Sequence, residues 1–441
     1  MESAPQVTIL ILNWNAQPYL SACLQSVLAQ QGPTFQVWLV DNQSTDGSLE
    51  YVRSHFPQVK IIALDRNLGF AGGNNAALRQ VDTPLVVLLN PDVVVEPDWL
   101  QHIIHPLVAS EDVGMVGCKL FYPDGRLQHV GGIIRWPQGL AGHIGHLEHD
   151  EGQYETMKDV PYVIAAAAAF RRSLLSNVGF LDEGYFLYYE DADWCERIRR
   201  AGLRVVVAPQ ARLVHLESVL TGKNTPRYWR NFHRGRWRFL LKHLPPEQLI
   251  ATTFPAEEKW LATRSLLERH AAADAYQIIL NQLPAILQAR RRDGGSTLSE
   301  TQTSQIQSVL QALKNQAWQS PHAALAEATL KQQKERAEVR PRPFSSRLPF
   351  IGPLITLLRT TWNRLETESY VRPLRQQQNQ INHLIIAINS QYLHVLHQLA
   401  QETEGQTTNQ TRLRQDVQTL RHQIEAVHQQ LLALTHKVNQ L

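Results

Sequence analysis

Three aspartates and one histidine stand where a chain of this pattern can do chemistry on a diphosphate. Asp41 closes the apolar run 35–40, and Asp92 follows the run 85–89 through Asn90 and Pro91. Asp191 stands beside Glu190 ahead of a helical stretch, and His215 lies far downstream in LVHLES. Pro91 cannot donate to a strand ladder, so the strand ends where a carboxamide and a carboxylate emerge together. That edge is where open α/β sheets bind ligands, and a hard oxygen ligand there suits a divalent cation, Mg2+ or Mn2+, carrying a diphosphate. Asp41 can accept the imide N–H of a uracil or thymine. Asp191 can take a proton from a hydroxyl, since the positive end of a helix keeps a carboxylate ionised at neutral pH. His215 offers a further metal ligand.

Each residue also has a plainer reading. Asn-Pro-Asp is good turn chemistry, and Glu190, Asp191 and Asp193 together make the acidic first turn that any helix prefers, with Asp193 spaced to pair with Arg197. His143, His146 and His149 sit among glycines without a cysteine partner, which argues against zinc. The loop NLGFAGGNN, residues 67–75, lacks both the dinucleotide and the Walker glycine spacing.

The elements that must position these residues alternate. Runs at 7–12, 35–40, 59–63 and 85–89 have the length and apolarity of strands, and the stretches between them carry helical periodicity, with Leu20, Leu24, Val27 and Leu28 forming one stripe. Four strands alternating with helices predict a parallel sheet with right-handed crossovers. A helix at 97–109 and a strand at 113–120 follow. The glycine- and histidine-rich stretch 125–153 reads as a long surface excursion. A helix starting at Glu190 or Asp191 ends at Gly202. Residues 226–243 carry Arg227, Arg230, Arg234, Arg236, Arg238 and Lys242 among aromatics and no acid. They read either as a helix packed on the preceding domain or as a membrane-surface helix.

Composition sets the limits. With 441 residues, 43% of them apolar, the chain can build two or three domains, and a net charge of +3 leaves basic surfaces to local clustering. Cys23, Cys118 and Cys195 lie far apart and read as reduced thiols. The start MESAPQVTILIL reads as a first strand rather than a signal peptide, and no window approaches a membrane span. A cytoplasmic protein, peripheral on the inner face of a membrane through residues 226–243, is the expectation. Further helices at 246–293, a linker and helical region at 294–345, and an amphipathic helix and coiled coil at 346–441 complete the chain. Ile381 to Leu399 and Leu413 to Leu441 step by three and four, which predicts a homo-oligomer, a parallel dimer, through the tail. No nucleic-acid module is recognisable.

Taken together, VTILILNWN, VDNQSTDGS, NLGFAGGNN, NPDVVVEPDWL, GFLDEGYFLYYEDADWCERIRRAG and LVHLES resemble the inverting GT-A glycosyltransferases of family 2, rhamnosyltransferase-like branch, over residues 5–245. The resemblance implies a Rossmann-like GT-A domain at 1–245. It implies donor binding by Asn13, Asp41, Asn67, Asn90 and Asp92, a metal on Asp92 and His215, Asp191 as general base, and Glu190 and Asp193 on the acceptor side. Asn90 stands where many relatives have the first aspartate of D-x-D, and the AAAAAF run replaces a more usual glycine-containing segment. The implied partners are a nucleotide diphospho-sugar, first of all dTDP-rhamnose, and a glycan or lipid-linked acceptor. The reading from a different class is an inactive glycosyltransferase-like domain that serves the coiled coil as an assembly or tethering module.

Overall fold

A computed structural model describes residues 4–216 and 225–318. The chain begins with β1 (Val7–Asn13), α1 (Gln17–Leu28), β2 (Phe35–Asp41), α2 (Ser48–His55), β3 (Lys60–Ala63), α3 (Gly69–Leu78), β4 (Leu85–Leu89) and β5 (Val93–Val95). It continues through α4 (Trp99–Ala109), β6 (Val113–Phe121), β7 (Leu127–His129), β8 (Gly132–Arg135), β9 (Leu140–His143), β10 (Lys158–Asp159), β11 (Ala167–Arg171) and α5 (Leu174–Asn177). Then come α6 (Glu190–Arg200), β12 (Arg204–His215), α7 (Pro226–His243), α8 (Pro246–Gln248), a π-helical turn (Leu249–Thr253), α9 (Phe254–Ala262), α10 (Leu266–Arg292) and α11 (Glu300–Trp318).

The fold is the expected mixed α/β class, and its main sheet runs β10-β12-β6-β11-β4-β1-β2-β3. β3, β2, β1 and β4 are parallel, β11 joins them antiparallel to β4, and β6 and β12 form a second parallel pair. Because β2 lies on one side of β1 and β4 on the other, the winding reverses at β1, and a crevice opens outside the carboxyl ends there.

β1 shows why its residues make a central strand. Val7, Ile9 and Ile11 point into one core with Leu20 and Leu24 of α1, while Leu10 and Leu12 point into the opposite core with Ala71 and Leu78 of α3. The period of two divides a continuous apolar run between two layers. A third core joins α7, α10 and α11 through Trp237, Leu240, Tyr276, Ile279, Ile306 and Leu310. These helices belong to the same compact unit as the sheet, which reaches Ala317.

One expectation needs correction. The stretch 125–153 is no mere surface excursion: β7 pairs with β6, and β8 and β9 make a hairpin with the buried residues Gln128 and His129 beside it. In α7 the packed-helix reading holds for Arg236, Arg238 and Lys242, which are buried, while Arg227 and Arg230 are exposed. Arg236 meets Glu257, Arg238 meets Asp182 at 2.9 Å, and Lys242 meets Asp182, Asp193 and Asp293 at 2.7, 2.5 and 2.8 Å, all inside the protein. A sequence shows that a helix is basic but not that its acids arrive from elsewhere. No helix among the described residues is long and apolar enough to cross a membrane. The EVRPRPF linker and the coiled coil lie outside the described residues.

Candidate active site

The carboxyl ends of the strands gather the polar residues into a cavity of about 660 Å³. Asn67, Asn90, Asp92, Glu190, Asp191 and His215 all line it. Asp92 leaves β4 through Asn90 and Pro91. His215, the last residue of β12, is set opposite Val93 by the antiparallel β5–β12 pairing, which brings the two side chains together. Asp92 Oδ1 is buried without a hydrogen-bond partner and lies 3.4 Å from His215 Nε2. The other ring nitrogen, Nδ1, meets Gln128 Oε1 at 2.7 Å, an acceptor that keeps the proton on Nδ1 and leaves the Nε2 lone pair toward Asp92. The Asn90 side-chain amide reaches the same Nε2 at 3.4 Å, and the convergence of this ring nitrogen with the unpartnered Asp92 oxygen fits a divalent cation.

A second acidic cluster does not. Asp182, Asp193 and Asp293 bring carboxylate oxygens within 4.8 Å of one another, but Lys242 Nζ is bonded to all three and fills the position a cation would take. Asp193, expected on the acceptor side, is part of this cluster and does not line the cavity; its pairing with Arg197 is present at 3.0 Å. The Lys242 and Arg197 charges hold its carboxyl well below the usual carboxylate range despite full burial.

Asp191 is the second residue of α6. Burial pushes its carboxyl up to about 6, against backbone N–H bonds from Ala192 at 2.7 Å and Ala165 at 3.4 Å that favour the anion. The helix end was expected to dominate, and burial outweighs it. Neighbouring Glu190 is likewise pushed well above the usual carboxylate range, by burial and then by the Asp191 charge. Tyr188 and Tyr189 immediately before them both have φ of 72°, a left-handed turn that aims the pair into the cavity.

Asn13 and Asp41 stand at adjacent strand ends but do not line the cavity. Asn13 Nδ2 donates to Asp41 Oδ1 at 2.8 Å, and the Ser44 amide donates to Oδ2 at 3.0 Å. Next to them Asn42, which the sequence reading passed over, does line it. Its amide donates to Asn67 Oδ1 at 3.2 Å and to the Gly69 carbonyl at 3.0 Å, tying β2 to the turn into α3. Gln128 was missed as well, and the apolar Leu127 and Val130 flanking Gln128 and His129 are the one signal for a strand there. His143 packs on His129, with their Nδ1 atoms 2.7 Å apart, rather than gathering His146 and His149 around a metal.

The chain is similar to known proteins over part of its length. Residues 8–179 match the family described as Glycosyl transferase family 2. The chain is 35% identical over 249 residues to the uncharacterized protein y4gI of Sinorhizobium fredii, a match covering 53% of this chain and 27% of that one. It is 31% identical over 228 residues to the O-antigen biosynthesis protein RfbC of Myxococcus xanthus, covering 49% and 18%. It is 26% identical over 261 residues to the N-acetylglucosaminyl-diphospho-decaprenol L-rhamnosyltransferase of Mycobacterium tuberculosis, covering 53% and 83%. The chain thus spans about a quarter or less of the length of the first two relatives.

Proposed function

We propose that this protein is an inverting glycosyltransferase that moves a sugar from a nucleotide diphospho-sugar, with dTDP-rhamnose the first candidate, to a hydroxyl of a glycan or lipid-linked acceptor. The observation that carries the reading is the meeting of Asp92, His215 and Asp191 on one cavity at the reversal point of the sheet. Asp92 and His215 would hold a magnesium or manganese ion, whose contribution when bound is to offset charge gathering on the departing diphosphate. Asn67 and Asn90 line the cavity and would bind the donor, and Asp41, bonded to Asn13 at the strand ends outside the lining, is the candidate for binding the nucleotide's base. Asp191 takes the acceptor proton as its hydroxyl attacks the anomeric carbon; a base near 6 is ionised at neutral pH yet still basic enough to accept.

The rhamnose candidate draws support from the Mycobacterium relative's name, and the acceptor class from that name and from RfbC. A screen of nucleotide sugars for hydrolysis and for thermal stabilisation tests the reading. One donor should be hydrolysed slowly in a cation-dependent way, with Asp191→Asn and Asp92→Ala both defective. Failure of every donor to stabilise or be cleaved removes the activity.

A further inference from the structure

Away from the sheet the same cavity turns aromatic. Tyr228, Trp229 and Phe232 of α7 and Trp260 of α9 line it, joined by Arg264 and by Glu268 of α10. These residues lie beyond the family 2 match, on helices added to that domain. The rings form a continuous ledge: Tyr228 meets Trp229 at 4.9 Å, Trp229 stacks on His233 at 5.9 Å, and His233 meets Trp260 at 5.5 Å. The Arg264 guanidinium lies over Trp260, 4.8 Å from the ring centre. Glu268 is only 5% exposed, and its Oε1 has no hydrogen bond, the nearest basic atom being His233 Nε2 at 3.5 Å. A buried carboxylate oxygen with no donor is costly unless a ligand supplies one.

The ledge is tied to the candidate base. Tyr228 packs on Tyr188 at 5.4 Å and Phe232 on Tyr189 at 5.5 Å, and these two tyrosines lead directly into Glu190 and Asp191. Ring faces beside a carboxylate and a guanidinium match a pyranose, which has an apolar C–H face and a rim of hydroxyls. Resting on the transferase reading above, we propose that this ledge is the acceptor subsite: Trp229 and Trp260 carry the apolar face of an acceptor sugar ring, and Glu268 and Arg264 take its hydroxyls, so that a neighbouring hydroxyl reaches Asp191. The helices outside the family 2 domain then set acceptor choice.

The test uses the full chain, with tryptophan fluorescence titrations against a panel of methyl glycosides and disaccharides, and with nucleoside diphosphate plus Mn2+ as a separate probe. Wild type should bind at least one saccharide. Trp229→Ala and Glu268→Gln should weaken that binding, and raise the acceptor KM, by about tenfold or more, with nucleotide affinity within about twofold of wild type. Trp229→Phe, which keeps a ring, should recover most of the loss, and so separates stacking from misfolding. Saccharide binding lost in Trp229→Ala while wild type transfers no sugar would uphold the ledge and sink the activity. Three outcomes overturn the ledge: no saccharide bound by wild type, equal saccharide affinity in Trp229→Ala, or loss of nucleotide affinity instead. Binding to anionic phosphatidylglycerol vesicles that Trp229→Ala abolishes, with saccharide affinity intact, would likewise reassign it, to a lipid surface.

Discussion

His215 Nε2 and Asp92 Oδ1 face each other across 3.4 Å, and the carboxylate oxygen has no hydrogen bond to satisfy it. Gln128 Oε1, 2.7 Å from the opposite nitrogen of the same ring, sets which nitrogen is left with a lone pair. A metal ligand oriented this way loses affinity when its outer partner is removed, typically by ten- to a hundredfold. Gln128→Leu should therefore weaken Mn2+ binding by about tenfold or more in the presence of a nucleoside diphosphate, read from the free-Mn2+ signal in electron paramagnetic resonance. Asp92→Asn should weaken it further. Unchanged Mn2+ affinity in both variants would detach the cation from this pair.

On the role proposed for Asp191, activity and stability depend on the same proton. Its carboxyl, near 6 in the folded protein and lower when unfolded, binds more protons in the native state between those values. Stability from this group is therefore present at low pH and lost as pH rises through about 6. Asp191→Asn should cut turnover by about a hundredfold or more while leaving nucleotide affinity near wild type. The same variant should be more stable than wild type at pH 7.5, by about 1–3 kcal/mol, an advantage that shrinks toward pH 5. Wild-type turnover should fall on the acid side near 6. A variant that melts below wild type at both pH values would show that the carboxylate is not strained by burial.

Lys242 is the cation of the buried Asp182, Asp193 and Asp293 cluster. Removing it in Lys242→Met leaves three buried carboxylates close together, beside Arg238, Arg197 and Arg292 in turn, and breaking a buried pair this way costs about 3–5 kcal/mol. The carboxyls of Asp182 and Asp193 sit below their usual range, so their contribution is present at neutral pH and is lost as pH falls through those depressed values. The loss in Lys242→Met should accordingly be largest near pH 7 and smaller in acid, where the orphaned acids protonate. Urea melts at the two pH values decide it, and a pH-independent loss would mean that only packing was removed.

Much of this was legible in the sequence because it is local. The run ending in Asn90, Pro91 and Asp92 announces both a buried strand and its chemistry, and Glu190 through Gly202 announces a helix with an acidic start. What escaped depends on distant partners. Gln128 sits in a strand of three residues among glycines, too short for a periodic signal. The cations of α7 looked available because Asp182, Asp193 and Glu257 are remote in sequence. The direction of the Asp191 shift turns on burial by the fold around it, which no helix-end argument contains. The Asp193 position is the plainest case: its spacing to Arg197 showed a helical pair, while its exclusion from the cavity follows from Lys242 and His243.

Gly235 links α7 to the turn that leads into Glu190 and Asp191. It lies inside α7, where glycine costs about 1 kcal/mol relative to alanine, and a Cβ there would stand 2.3 Å from the Tyr188 carbonyl oxygen and 3.3 Å from the Tyr189 ring. The absent side chain is what lets α7 lie against the left-handed Tyr188–Tyr189 turn. Backbone cannot swing aside as a flexible side chain can, so Gly235→Ala must either lift α7 or push the turn, and Glu190 and Asp191 move with it. Helix propensity alone would make the variant more stable; the contact predicts a loss of about 1–3 kcal/mol instead. Misplacement of the base by about an ångström should lower kcat by up to a hundredfold, with nucleotide binding at the far end of the cavity retained. Thermal melting, nucleotide titration and turnover on the same preparation separate these effects. A Gly235→Ala protein that is both more stable and fully active would show that α7 is not held by this contact.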